Sequence, residues 1–204
     1  MQPIDALSPT RHSFDTFDQS PMLTLITDAV EDVLRVSSPS FMHADAPPRT
    51  HVFFSRTIPP VSARDYMMRL HRYAKCSEST LVIALIYLER VLATYRRECP
   101  AFQFTPQNIH RYIMGAVVVA SKSQEDQTYL NTFYASVAGV SLAEINNLEI
   151  SFLLELKWAT FVDASEFESF LDRCEDMGMV LGTPTCPLVT GVSLSIPQVE
   201  VEVQ

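Results

Sequence analysis

Apolar residues recur along this chain every three to four positions and seldom alternate. That period predicts helices and an all-α protein. The first helix is expected over about 21–35, with Pro21 in its first turn and Leu23, Ile26, Thr27, Val30, Val33 and Leu34 on its apolar face. Residues 36–61 hold Pro39, Pro47, Pro48, Pro59 and Pro60 and read as an irregular connector. Its Phe41, Val52, Phe53, Phe54 and Ile58 imply that it packs on the surface.

A five-helix block follows. Ser62 caps a helix over about 63–75, with Asp65 as capping acid and Tyr66, Met67, Leu70, Tyr73 and Ala74 as its stripe. The next helix covers about 78–97 and faces inward through Leu81, Ala84, Leu85, Leu88, Val91, Leu92 and Tyr95. A third, over about 106–122, is expected to start from a Thr105 cap and Pro106. It is apolar around most of its circumference, which marks the buried central helix. A short helix over about 131–138 ends at Gly139, a suitable left-handed terminator. Ser141 and Glu144 form a capping box for a fifth helix running to about 156. Asp163 or Ser165 starts a further helix that ends at Gly178, with Glu168 as capping acid. The expected organisation is a flexible N-terminus (1–20), an N-terminal helix with its connector (21–52), the five-helix block (53–162), a C-terminal helix (163–178) and a tail (179–204) that could hold a short strand.

Two charges sit against this apolar pattern. Lys122 closes the run Ala116–Ser121, and Glu149 interrupts Ile145–Leu153. A charge beside a buried stripe is costly unless it is paired or serves a partner. These two have opposite signs and lie on neighbouring helices.

The net charge of -9 is unevenly spread. Residues 1–48 carry 2 basic and 7 acidic side chains, 49–122 carry 11 and 4, 123–162 carry 1 and 5, and 163–204 carry 1 and 8. The basic middle either neutralises its acidic flanks or offers a surface to acidic or phosphorylated substrates. Arg96, Arg97 and Arg111 are the candidates for that surface. An overall acidic chain argues against nucleic acid. Cys76, Cys99, Cys174 and Cys186 show no C-x-x-C spacing and read as reduced thiols, with Cys76 and Cys174 on apolar faces. No signal-peptide pattern and no apolar run of about 18 residues is present, so a cytoplasmic or nuclear location without a membrane span is expected. The histidines are scattered, and no nucleophile-elbow, phosphate-loop or zinc-protease motif occurs. No catalytic residue, metal or cofactor is therefore expected. His110 reads as a helix-packing or capping residue.

Several short motifs in order carry a resemblance. Ile86-Tyr87-Leu88-Glu89-Arg90 resembles the Y-I-D-R motif of the second cyclin-box helix. His110-Arg111, Ala120-Ser121-Lys122 and Asp126-x-x-Tyr129-x-Asn131 resemble the third helix and following loop of the P/U-type cyclins. Tyr134-Ala135, Gly139-Val140-Ser141-Leu142 and Glu144-Ile145-Asn146-x-Leu148-Glu149-x-x-Phe152-Leu153 continue the match, and Phe54-Ser55-Arg56 with Pro59-Pro60-Val61-Ser62 precedes it. The resemblance implies a single five-helix cyclin box over about 53–162. It also implies a non-catalytic subunit that binds and activates a cyclin-dependent kinase and helps select that kinase's protein substrates. By the same resemblance Lys122, Glu149, Phe152 and Asp126 contact the kinase, and Glu89 braces Arg69, or alternatively Arg72. Ser123 stands where the family has phenylalanine, and Tyr66-Met67-Met68-Arg69-Leu70 lacks the substrate-docking patch of the cell-cycle cyclins. A nucleic-acid-binding module built on the same box is the alternative.

Overall fold

The computed structural model describes residues 20–35 and 48–178. Seven α-helices make up the described fold: α1 (Pro21–Arg35), α2 (Ala63–Ala74), α3 (Glu78–Glu98), α4 (Ile109–Gln124), α5 (Asn131–Ala138), α6 (Leu142–Glu155) and α7 (Ala164–Gly178). No strand occurs among the described residues. The all-α expectation holds. Phe41, Cys186, the N-terminal residues 1–19 and the tail lie outside the described residues.

Local chemistry sets most helix starts. Ser62 accepts a hydrogen bond from the Asp65 amide, Ser77 from the Thr80 amide and Ser141 from the Glu144 amide. Each bond satisfies an amide that has no partner inside its helix. Gly139 ends α5 at φ 75°, where a side chain would strain the backbone. The expected Thr105 cap is not formed. Residues 105–108 make a tight turn in which Asn108 Oδ1 accepts from the Thr105 amide at 2.8 Å, and α4 begins at Ile109. Asn108 closes that turn on itself, which delays the regular helix by three residues.

α4 is the central helix, as its pattern predicts. From Ile109 to Ser121 only Arg111 is not buried. It packs on α3 along one side and α6 along the other. Close approach to α6 depends on Gly115, where a Cβ would meet Phe152 at 3.1 Å. α3 is more enclosed than its inward stripe predicts: the run Thr80–Glu89 is buried without a break. The outer side of α3 is covered by α1 and α7. The C-terminal helix is thus part of the core architecture, burying Phe170 and Cys174. The connector also goes deeper than a surface strap. A 3-10 turn over Pro48–Phe53 inserts Phe53 fully into the core, stacked on Tyr112 with ring centres 4.0 Å apart. An aromatic side chain buries enough apolar area to draw an otherwise irregular segment inward.

α1 is fixed by polar bonds as well as by its apolar face. Arg64 of α2 donates to Thr27 Oγ1 at 2.9 Å and pairs with Asp28, while its amide donates to Glu31 Oε1 at 3.1 Å.

Candidate functional site

Lys122 sits in the last turn of α4, and Glu149 lies two turns into α6. The packing of these helices brings Lys122 Nζ to 2.6 Å from Glu149 Oε1. The second carboxylate oxygen accepts from Asn131 Nδ2 at 2.6 Å, and the same amide nitrogen donates to Asn146 Oδ1 at 2.7 Å. A three-helix polar clasp over α4, α5 and α6 results. The Lys122 side chain keeps 34% of its surface exposed and Glu149 keeps 16%. The pair therefore falls between an exposed bridge, worth about 0–1 kcal/mol, and a fully buried one. Asn131 is the member that the charge pattern alone does not single out.

Phe152 does not reach this surface. It is fully buried beneath Gly115 with its ring edge toward Phe53, so it cannot touch a partner directly. Its spacing from Ile145 and Leu148 places it on the buried stripe of α6. Asp126 is exposed in the α4–α5 loop. That loop is held by its neighbour Glu125, whose Oε1 accepts from the Ser77 amide at 2.9 Å, Ser77 Oγ at 2.9 Å and Thr80 Oγ1 at 2.5 Å.

The outer face of α6 carries what Phe152 does not. Ile150 and Leu154 are exposed one turn apart, Trp158 follows at 63% exposure and Phe161 at 80%. Ile150 and Leu154 are four residues apart on α6, opposite the buried Leu148–Phe152 stripe, and Trp158 lies just past the helix end. A cluster of large exposed apolar side chains beside a polar clasp has the composition of an interaction surface. The four-residue spacing was present in the sequence. It was obscured because large apolar residues fall on both faces of α6.

The segment after α6 is locally strained and externally held. Lys157 and Trp158 both take left-handed backbone conformations, at φ 54° and 61°. Such conformations cost about 1–3 kcal/mol each without glycine and persist only where surroundings impose them. Here Arg90 of α3 donates to Ala159 O at 2.5 Å and Phe161 O at 2.9 Å, and its guanidinium forms two bonds with Glu166, at 3.1 and 2.5 Å. The Tyr87 hydroxyl donates to Thr160 O at 2.6 Å and lies 3.0 Å from Ser123 Oγ. Burial pushes the Tyr87 phenol upward, which keeps it a donor. Ser123, in place of an apolar side chain, thus joins the support of this segment. Asp163 caps α7 by accepting from the Glu166 amide at 2.8 Å, so Glu166, not Glu168, stands at the capping-acid position.

Other expected roles change. Glu89 pairs with Arg173 of α7 at 2.8 Å, not with Arg69 or Arg72. The partner lies 84 residues away on a helix outside the motif region. Arg111 is paired with Glu144 and donates to Val52 O at 2.8 Å. It is therefore not a free member of a surface with Arg96 and Arg97, of which Arg96 is half-buried and has interactions of its own. Arg97 is exposed at the end of α3. His110 does pack and anchor: its Nε2 lies 2.8 Å from Val61 O and its ring meets Tyr66 edge-on. Burial pushes the Cys76 thiol up to about 12, as suits an inert core cysteine. Among the described residues no group of three or more His, Cys, Asp or Glu side chains is arranged to hold a metal ion. No single described helix is long and apolar enough to cross a membrane.

A protein-family model described as Cyclin matches residues 19–160. Among known proteins, Cyclin-U4-2 of Arabidopsis thaliana is 32% identical over 179 residues, covering 84% of this chain and 81% of its own length. Cyclin-U2-2 of the same plant is 29% identical over 169 residues, covering 80% of this chain and 72% of its own. Cyclin-P3-1 of Oryza sativa subsp. japonica is 37% identical over 130 residues, covering 64% and 53% respectively. The match begins within the N-terminal segment, ahead of α1, so α1 shares in it together with the five-helix block.

Proposed function

The chain belongs to the cyclin family, in its P/U-type branch, and from that premise we propose that it binds and activates a cyclin-dependent kinase through the outer face of α6 and the clasp beside it. The observation that carries this reading is the ridge of Ile150, Leu154, Trp158 and Phe161 flanking Lys122–Glu149–Asn131. A kinase becomes active when its C-helix glutamate pairs with the β3 lysine and its activation loop is positioned. A rigid apolar ridge that packs on the active arrangement better than on the inactive one shifts the kinase by the difference in affinity. Arg90 and Tyr87 supply the rigidity, by holding the Ala159–Phe161 backbone beside Trp158 before the partner arrives. Lys122 and Glu149 act mainly by fixing α4 against α6. Asp126 borders the kinase from the α4–α5 loop. The chain contributes no catalytic group and works with its kinase in the cytoplasm or nucleus.

The test is co-purification with candidate cyclin-dependent kinases and assay of their activity. Trp158→Ala should weaken binding at least about tenfold, as loss of an aromatic anchor does, with the helical circular dichroism unchanged. Ile150→Asp should abolish activation. Full binding and activation by both folded variants would overturn the assignment.

A further inference from the structure

The backbone after α6 is gripped by Arg90, and Arg90 is itself aimed by a residue of α7. Two guanidinium nitrogens donate to Ala159 O at 2.5 Å and Phe161 O at 2.9 Å. On the other side of the group, Glu166 Oε1 accepts from Nε at 3.1 Å and Oε2 from Nη2 at 2.5 Å. A two-point bond of this kind fixes the plane of the guanidinium as well as its place. The Cyclin match ends at residue 160, ahead of α7. The residue that aims Arg90 therefore lies outside the matched region.

α7 is docked on α3 by contacts other than this pair. Phe170 and Cys174 are buried, and Arg173 pairs with Glu89 at 2.8 Å. Glu89 and Arg90, adjacent in the sequence, thus each take a partner on α7. A docked α7 delivers Glu166 to Arg90. The Arg90 side chain is only 14% exposed and that of Glu166 18%. A guanidinium so enclosed is costly without its counter-charge. Deprived of Glu166, it turns toward water and lets go of the carbonyls it holds. The segment it holds follows Lys157 and Trp158, whose left-handed backbone at φ 54° and 61° persists only where surroundings impose it. Tyr87 still binds Thr160 O, so the release is partial.

We propose that Glu166 is a positioning residue for partner binding: through Arg90 it makes the shape of the Trp158–Phe161 surface conditional on a docked α7. α7 is then a control element for a surface that it does not itself form. Whatever lifts α7 from α3 withdraws Glu166, loosens the backbone from Ala159 to Phe161 and weakens the partner's hold. The two sites are coupled through one guanidinium, a contiguous physical link. The positioning of the segment stands on this geometry alone; its effect on a kinase rests on the reading given above.

The test first reads the segment in the full chain without a kinase. The amides of Lys157, Trp158, Ala159 and Thr160 donate to Leu154 O, Leu153 O, Leu156 O and Trp158 O. Their hydrogen exchange therefore reports opening of this backbone. E166A should speed it at least about fivefold, the lower end for coupling between two sites. E166Q keeps one acceptor oxygen for Arg90 and should speed it at least about twofold. S62A removes the α2 cap and destabilises the fold at a distance, so these amides should change less than about twofold. Kinase binding is then compared in the same variants, and E166A should weaken it at least about fivefold while S62A does not. Unchanged exchange in both Glu166 variants overturns the proposal. So does equal speeding in S62A, which would mean general loosening. Faster exchange with undiminished kinase binding also overturns it where Trp158→Ala does weaken binding. If Trp158→Ala binds fully, the kinase reading fails instead, and the exchange result still decides whether Glu166 positions the segment.

Discussion

Two carboxylates act on α3, and their surroundings push them in opposite directions. Glu89, in the helix itself, is only 5% exposed and faces a guanidinium, yet its pKa is raised. Glu125, the residue that follows α4, is half-buried and pairs with no cation, yet its pKa is lowered. For Glu89 burial is the largest cause and outweighs Arg173. For Glu125 the Ser77 amide leads, followed by the Thr80 hydroxyl, and both outweigh the upward push of burial. A counter-ion does not by itself make a buried carboxylate comfortable, whereas aligned donors at a helix start stabilise a half-buried one. The Lys122–Glu149 clasp lies between these cases, with a counter-ion, an amide donor and moderate exposure.

The largest expected effect is at Glu89. Glu89→Ala leaves Arg173 about one-fifth exposed with no counter-charge and α7 without its polar tether to α3. The loss should be about 3 kcal/mol, the lower end for breaking a buried pair, read as a shift in urea midpoint. Glu89→Gln keeps an oxygen for Arg173 and should cost clearly less. The pH dependence gives the sign. A raised folded pKa means that the Glu89 contribution is fully present below the unfolded value near 4.5 and is lost as pH rises through the higher folded value. Wild type should therefore gain on Glu89→Gln as pH falls toward 4.5. A constant difference would mean that burial does not dominate.

The clasp should respond less in stability and more in function. Glu149→Ala frees a lysine that already reaches solvent, so a loss of about 1 kcal/mol is expected, seen as a thermal shift of a few degrees. Kinase binding should fall more than this stability loss explains, because α4, α5 and α6 lose a common anchor beneath the ridge. Binding that falls only in proportion to the unfolded fraction would reduce the clasp to a structural brace.

How much of this was legible in the sequence depended on range. Ser62, Ser141 and Gly139 act through neighbours within three or four residues, so their roles could be read from spacing. Lys122 and Glu149 were legible because each broke an apolar run on adjacent helices. Arg173 was not, since nothing local connects the exposed-looking face of a C-terminal helix to an acid 84 residues earlier. Phe152 shows a different failure. Its motif suggested contact with a partner, while its period with Ile145 and Leu148 already placed it inside. Trp158 and Phe161 follow the helix end, where no period applies, and the backbone from Ala159 to Phe161 is held by Arg90 and Tyr87 from another helix.

The smallest effect tests the other side of the comparison. Glu125 gathers three donors from the first turn of α3, where the positive end of the helix dipole also favours an anion. Its lowered pKa means that its stabilisation is present above the unfolded value near 4.5 and is lost as pH falls through the lower folded value. Glu125→Gln should cost about 0.3–1 kcal/mol at neutral pH, the range for a charge at an exposed helix terminus. The difference from wild type should shrink in acid, below the ordinary carboxylate range. That trend is opposite in direction to the one expected for Glu89→Gln. Paired melts of both variants across the same pH series therefore separate the two causes, because a shared artefact of acid would move them together. If the Glu125→Gln difference persisted undiminished into strong acid, the loss would come from side-chain shape and not from charge held by Ser77 and Thr80.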